Sequence, residues 1–82
     1  MPKLPRVSSQ KTVQTLEKLG FVQIRQRGSH LILKKQFISK EGKINQVGCV
    51  IPMQRKTLAV GTLKNILNQA GVSLEEFLQN LQ

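Results

Sequence analysis

The sequence predicts an α+β fold of two layers, with a three-stranded antiparallel sheet packed on helices. Three observations carry this. Apolar residues recur at helical spacing in residues 8–20 and again in residues 61–81. Between them lie β-prone runs separated by Gly-containing turns. At 82 residues and 39% apolar content, the chain has material for one core and no second. The expected order is α-β-β-β-α(-α), a single domain over residues 1–82.

"MPKLPR" is punctuated by Pro2 and Pro5, so residues 1–7 should form an extended arm. "SSQKTVQTLEKLG" reads as a helix that Ser8 or Ser9 can N-cap, with Val13, Leu16 and Leu19 on one face. Gly20 suits the left-handed position after it, and Phe21 should pack back on the last turn. "FVQIRQ" and "HLILKK" read as strands joined by the turn "RGS". Strand alternation puts His30, Ile32 and Lys34 on one face, and Leu31, Leu33 and Lys35 on the other. Glu41-Gly42 marks a second turn at the tip of a longer hairpin, and "QVGCVIP" is the third strand, ended by Pro52. "MQRKTLAV" is a loop with two cations. "GTLKNILNQAG" is a helix with Leu63, Ile66, Leu67 and Ala70 on one face and Gly71 closing it. "SLEEFLQNLQ" opens with a capping box from Ser73 to Glu76 and continues as a short helix. This order resembles that of a double-stranded-RNA-binding domain.

Charge bounds the function. Thirteen Lys and Arg oppose four Asp and Glu, a net charge of +9 and a pI near 10.5. The excess lies in residues 1–60, with twelve basic and two acidic residues. Such density favours a polyanion, nucleic acid ahead of a membrane surface. No apolar stretch approaches the roughly 20 residues of a membrane span, and the N-terminus lacks the apolar segment of a secretory signal. The lone Cys49 forms no internal disulfide, and one Cys with one His falls short of a zinc site. A cytoplasmic protein without metal or other cofactor is expected.

"RQRGSHLILKK" holds the only histidine, His30, with Arg25 and Arg27 before it and Lys34 and Lys35 after it. An imidazole takes and returns a proton near neutrality. Beside cations that hold phosphate, it suits removal of the proton from a ribose 2′-OH, a chemistry confined to RNA. Gly28 and Ser29 form a turn that a backbone can approach closely. On the residues alone, an ordinary half-exposed strand histidine is the commoner occupant of such a position. The chain has no Tyr and no carboxylate near His30 in sequence to serve as the acid. Gln54, Arg55 and Lys56 form either a phosphate clamp or a solvated loop. Residues 63–81 have the outline of a helix-turn-helix, which would make a DNA-binding regulator. Their second helix, however, carries Glu75 and Glu76 and no cation, with only Gln79, Asn80 and Gln82 as polar readers. Cys49 alternates with Val47 and Ile51 and belongs in the core, and three Phe are too few for a base-stacking platform.

Taken in order, "LEKLGFVQIRQ", "RQRGSHLILKK" and "VIPMQRKTLAVGTLKNILNQAGVSLEEF" resemble the HicA toxins, small bacterial mRNA interferases of type II toxin–antitoxin systems. The likeness spans residues 8–78. It implies a double-stranded-RNA-binding-like fold, metal-independent endoribonuclease activity with His30 as general base, and neutralisation by an acidic HicB-type antitoxin that covers His30. Contact with DNA would then come only through the antitoxin. The resemblance places the catalytic histidine on His30 within Gly28-Ser29-His30; on that reading Arg25, Arg27, Gly28, Ser29, Lys34, Lys35, Gln54, Arg55 and Lys56 would hold RNA. The sequence departs from the family in two places. A histidine two residues beyond the Pro of the third strand is here Gln54, and the connection "KKQFISKEGKINQVG" is longer than usual. A non-cleaving RNA-binding module of the same fold is the alternative reading.

Overall fold

The computed structural model describes residues 6–81. The arm expected over residues 1–7 lies outside them, apart from Arg6 and Val7. Val7 is buried, and its carbonyl accepts a hydrogen bond from Leu58 N at 2.7 Å. Helix α1, Ser9–Lys18, begins where the Ser8 side chain accepts from Lys11 N at 3.0 Å, so Ser8 is the N-cap and Ser9 is not. Val13 and Leu16 face the core. Thr12 and Thr15 are buried too, and their hydroxyls donate to the carbonyls of Ser8 and Lys11, which removes the cost of burying them. Beyond the helix Gly20 takes a φ of +103°, and Phe21 N donates to Leu16 O at 3.1 Å. Phe21 is thereby turned into the core, as the sequence predicts.

Strands β1, Val22–Arg27, β2, His30–Ile38, and β3, Ile44–Pro52, form an antiparallel meander in the order β1-β2-β3. Gly28 takes a φ of +58° while Ser29 stays negative, which matches a two-residue hairpin turn with glycine first. The second hairpin turns at residues 39–43, closed by Ser39 N donating to Lys43 O at 2.8 Å, with Gly42 at a φ of +79°. The strands on either side outrun the shorter ones expected. Pairing continues without a shift from His30↔Pro52 to Ile38↔Ile44, because Phe37, Ile38 and Ile44 suit a pleated ribbon. The long connection is therefore sheet and not loop. β1 reaches only as far as Lys34, so the far end of the β2–β3 ribbon overhangs it.

Helices α2, Val60–Ala70, and α3, Leu74–Asn80, cover the same face of the sheet as α1. α2 lays down Leu63, Ile66, Leu67 and Ala70 and ends at Gly71 with a φ of +69°. Ser73 and Glu76 close the capping box that starts α3, and Phe77 inserts into the core at 0% exposure. Leu31 and Leu33 of β2 lie opposite Ile51 and Cys49 of β3 beneath these helices. The α+β order is the one expected, and it is consistent with the double-stranded-RNA-binding likeness. No helix among the described residues is long and apolar enough to cross a membrane.

Burial pushes the Cys49 thiol up from 9.0 to about 11, because the thiolate loses solvation in the core. A thiol whose folded pKa is raised adds stability below pH 9.0, and that contribution is lost as pH rises through about 11. At pH 8 the native protein should resist iodoacetamide, whereas the urea-unfolded chain should be labelled readily at the same pH. Mass spectrometry distinguishes the two, and rapid labelling of the native protein would contradict a core position for Cys49.

Candidate functional site

Alternation along β2 sorts its side chains. Leu31 and Leu33 are buried under the helices, so His30, Ile32 and Lys34 project from the opposite, open face of the sheet. Cross-strand partners share a face, and the register is Arg27↔His30↔Pro52, Arg25↔Ile32↔Val50 and Val22↔Lys34↔Gly48. Arg25 and Arg27 thus stand on the His30 face. They do so because the register shifts between Gln23 and Arg25, which leaves Ile24 as an extra residue. Without that bulge, strict alternation from Val22 would turn both arginines toward the helices. Nothing in the one-dimensional pattern of "FVQIRQ" signals the bulge.

The two lysines part company. Lys34 lies across Gly48, where an added Cβ would sit 3.3 Å from Lys34 Cγ, so the glycine lets its stem run flat over the open face. Lys35 points the other way. Its stem covers Gly20, and its ammonium stands 5.9 Å from the centroid of the Phe21 ring, a cation–π contact. Of the strand cations in "RQRGSHLILKK", then, Arg25, Arg27 and Lys34 share the face of His30 and Lys35 does not.

The loop after β3 is drawn to the same end of the sheet as His30. Met53 N donates to Ser29 O at 2.6 Å, which ties the loop to the Gly28-Ser29 turn. Ser9 fixes it from the other side. Its hydroxyl donates to Pro52 O and accepts from Arg55 N at 3.2 Å, and its own N–H donates to Arg55 O at 3.0 Å. Held this way, Gln54 adopts a φ of +68°, the only non-glycine residue with positive φ among those described. Ser8, Ser9, Gln10, Met53, Gln54, Arg55 and Lys56 line an open depression of about 490 Å³. Sequence reasoning considered Ser9 only as a helix cap. Its true partners lie more than forty residues away, so no local signal marks them.

The electrostatics of this end are one-sided. Among the described residues, Arg25, Arg27, Lys34, Arg55 and Lys56 make no ion pair; the salt bridge present is Lys43–Glu41 at 4.0 Å, on the exposed distal turn. No strand carries a carboxylate. Glu17 lies on α1 and accepts from Gln23 Nε2 at 3.3 Å, while Glu75 and Glu76 open α3. The His30 side chain is exposed and has no hydrogen-bond partner among the described residues. The arrangement offers an imidazole and several uncompensated cations to an anionic ligand, with no carboxylate to repel it. The candidate helix-turn-helix offers less: α3 presents Glu75 and Glu76 and spends Phe77 on the core, and Gln82 lies outside the described residues.

Replacing Ser9 by Ala removes a hydroxyl that satisfies two backbone groups. The expected loss is about 1–3 kcal/mol of unfolding free energy, read by urea denaturation. An unchanged midpoint would show that the loop is held by other means.

A model of the family described as "HicA toxin of bacterial toxin-antitoxin" matches residues 9–72. That span runs from the first residue of α1 through His30 and the Gln54 loop to the residue after Gly71. No curated protein matches the sequence. The match takes in most of the chain, with the whole sheet and the loop pinned by Ser9, and on it the chain belongs to the HicA toxin family of bacterial toxin–antitoxin systems.

Proposed function

We propose that the chain is the toxin of a type II toxin–antitoxin pair and acts as a metal-independent endoribonuclease on mRNA, with His30 as general base. The observation that carries this is the register Arg27↔His30, with Arg25 next along the strand, which gathers an exposed imidazole and unpaired guanidinium groups on one face. Phosphates held by Arg25, Arg27 and Lys34 would present a ribose to His30, with the backbone of Gly28 and Ser29 close by. His30 takes the 2′-OH proton, and the 2′-oxygen attacks phosphorus. The P–O5′ bond breaks, leaving a 2′,3′-cyclic phosphate, and the departing 5′-oxygen takes a proton from water. Guanidinium groups stabilise the negative charge that builds on the phosphorane. Arg55 and Lys56 extend the grip past the end of β3. Lys35 lies on the opposite face and serves packing instead. Neutralisation would fall to an acidic HicB-type antitoxin that covers His30, drawn by the same unpaired cations.

A second reading has an observation of its own. His30 has no side-chain hydrogen-bond partner among the described residues to orient it, and the amide of Gln54 cannot shuttle a proton where the family resemblance leads one to expect a histidine. This favours an RNA-binding module that does not cleave.

One assay separates the two. Purified protein in chelator should cut RNA to 2′,3′-cyclic ends and leave the matching DNA intact, and His30→Ala should lower the rate by about 100-fold or more, the usual weight of a general base. RNA bound but never cut would favour the second reading, and full activity in His30→Ala would remove the base assignment. Gln54→His should raise the cleavage rate without lowering stability, since histidine tolerates a positive φ better than most residues. An unchanged rate would show that no second proton shuttle operates at this position.

A further inference from the structure

An unpaired sheet edge exposes backbone N–H and C=O groups that another chain can pair with, and folded proteins blunt such edges with bulges, charges, prolines or covering elements. The two outer edges here are guarded unequally. β1 is short, bulged at Ile24 and flanked by Arg25 and Arg27. β3 is guarded at its Pro52 end, where proline has no N–H and Val50 N donates to Gln69 Oε1 of α2 at 3.3 Å. That bond also gives the direction of the remaining groups. Val50 N–H points away from β2, and the β2–β3 register is unbroken, so the N–H groups of Ile44, Gln46 and Gly48 point outward as well. None of the three has a partner among the described residues. Beside them Ile38 and Ile44 are cross-strand partners on the overhanging ribbon, 74% and 73% exposed.

We propose that residues 44–48 of β3 form a docking edge to which an extended strand of an acidic protein partner adds. This rests on the toxin–antitoxin reading above and names where the antitoxin is gripped. A strand supplies the alternating donors and acceptors that the edge lacks, together with apolar side chains for Ile38 and Ile44. Nucleic acid carries hydrogen-bonding groups but not at the two-residue repeat of a strand, and it has no aliphatic side chains to cover Ile38 and Ile44. A second copy of this chain would set like against like, with a net charge of +9 on each and Lys34, Lys40 and Lys43 around the ribbon. An acidic strand meets those lysines favourably. At about 3.3 Å per residue, the edge begins roughly 13 Å from the end of the sheet where His30 lies and ends roughly 26 Å from it. The partner is therefore anchored at the end of the sheet far from His30, and binding is separable from occlusion of His30.

Gln46→Pro tests this selectively. It removes an outward N–H and leaves the β2–β3 ladder whole, so the free protein should melt as the wild type does, and its action on RNA should be unchanged. With the HicB-type antitoxin of the same locus, wild type and Gln46→Ala should bind alike, while Gln46→Pro should bind about tenfold or more weakly, as loss of one hydrogen bond and its fit implies. In wild type, the amides of Ile44, Gln46 and Gly48 should exchange quickly when free and slowly in the complex, read by NMR. An antitoxin that binds while those amides stay unprotected overturns the docking edge and leaves the toxin–antitoxin reading standing. An antitoxin that does not bind at all overturns both. Protection of the same amides by RNA, or by self-association at high protein concentration, overturns the choice of partner. If Gln46→Pro fails to fold, amide exchange in the wild-type complex decides by itself.

Discussion

The packing of Leu31 and Leu33 against Ile51 and Cys49 decides what the rest of the molecule can present. Strand side chains alternate with a period of two, so a slip of one residue would exchange the two faces of the sheet. Burying side chains of this size contributes roughly 1.5–3 kcal/mol each. Summed over four residues, that rivals the 5–15 kcal/mol of a whole domain's stability. The slipped register is therefore out of reach, and His30, Ile32 and Lys34 have no choice but the open face. The basic face has its position because the core behind it can be built in one way only.

That face carries a cost. Neighbouring cations without counter-charges repel one another, an effect that water and salt weaken on an exposed surface. A stability-driven sequence would intersperse carboxylates, yet the strands hold none. Each anion that binds relieves part of the repulsion and stabilises the fold by mass action. The same imbalance raises the rate of encounter with any polyanion or acidic protein. Stability given up on this surface would be recovered on binding an anionic partner.

Much of this was legible in the sequence. Helical spacing marked α1 and α2, Gly20 and Gly71 marked their ends, and Ser73 with Glu76 marked the start of α3, because each signal acts within a few residues. The opposition of His30 and Lys34 to Leu31 and Leu33 was legible for the same reason. What escaped depends on contacts between segments. The bulge at Ile24 is settled by how β1 fits β2, and it alone brings Arg25 and Arg27 to His30. Ser9 looks like any serine at a helix start until the loop after β3 folds onto it. Alternation already set Lys35 on the face opposite Lys34, but its contact with Phe21 depends on the approach of α1's end to β2. The connection between β2 and β3 read partly as loop because its Lys-Glu-Gly centre is turn chemistry, while its flanks pair to the last residue.

Gln54 joins the fold to the chemistry. A non-glycine residue at a φ of +68° costs on the order of 1 kcal/mol, and it persists only where its surroundings impose it. Here they are the bonds from Ser9 to Pro52 and Arg55 and from Met53 to Ser29, none of which involves the Gln54 side chain. The backbone at this position is thus set by its neighbours, whatever residue occupies it. Left-handed backbone is several-fold enriched in Asn, Asp and His. The histidine that the family resemblance leads one to expect here would suit the imposed conformation, and glutamine occupies the bend with an amide in place of an imidazole. On the proposed function, Gln54 would change what a side chain at the His30 end of the sheet can donate while leaving the scaffold that holds the loop as it is.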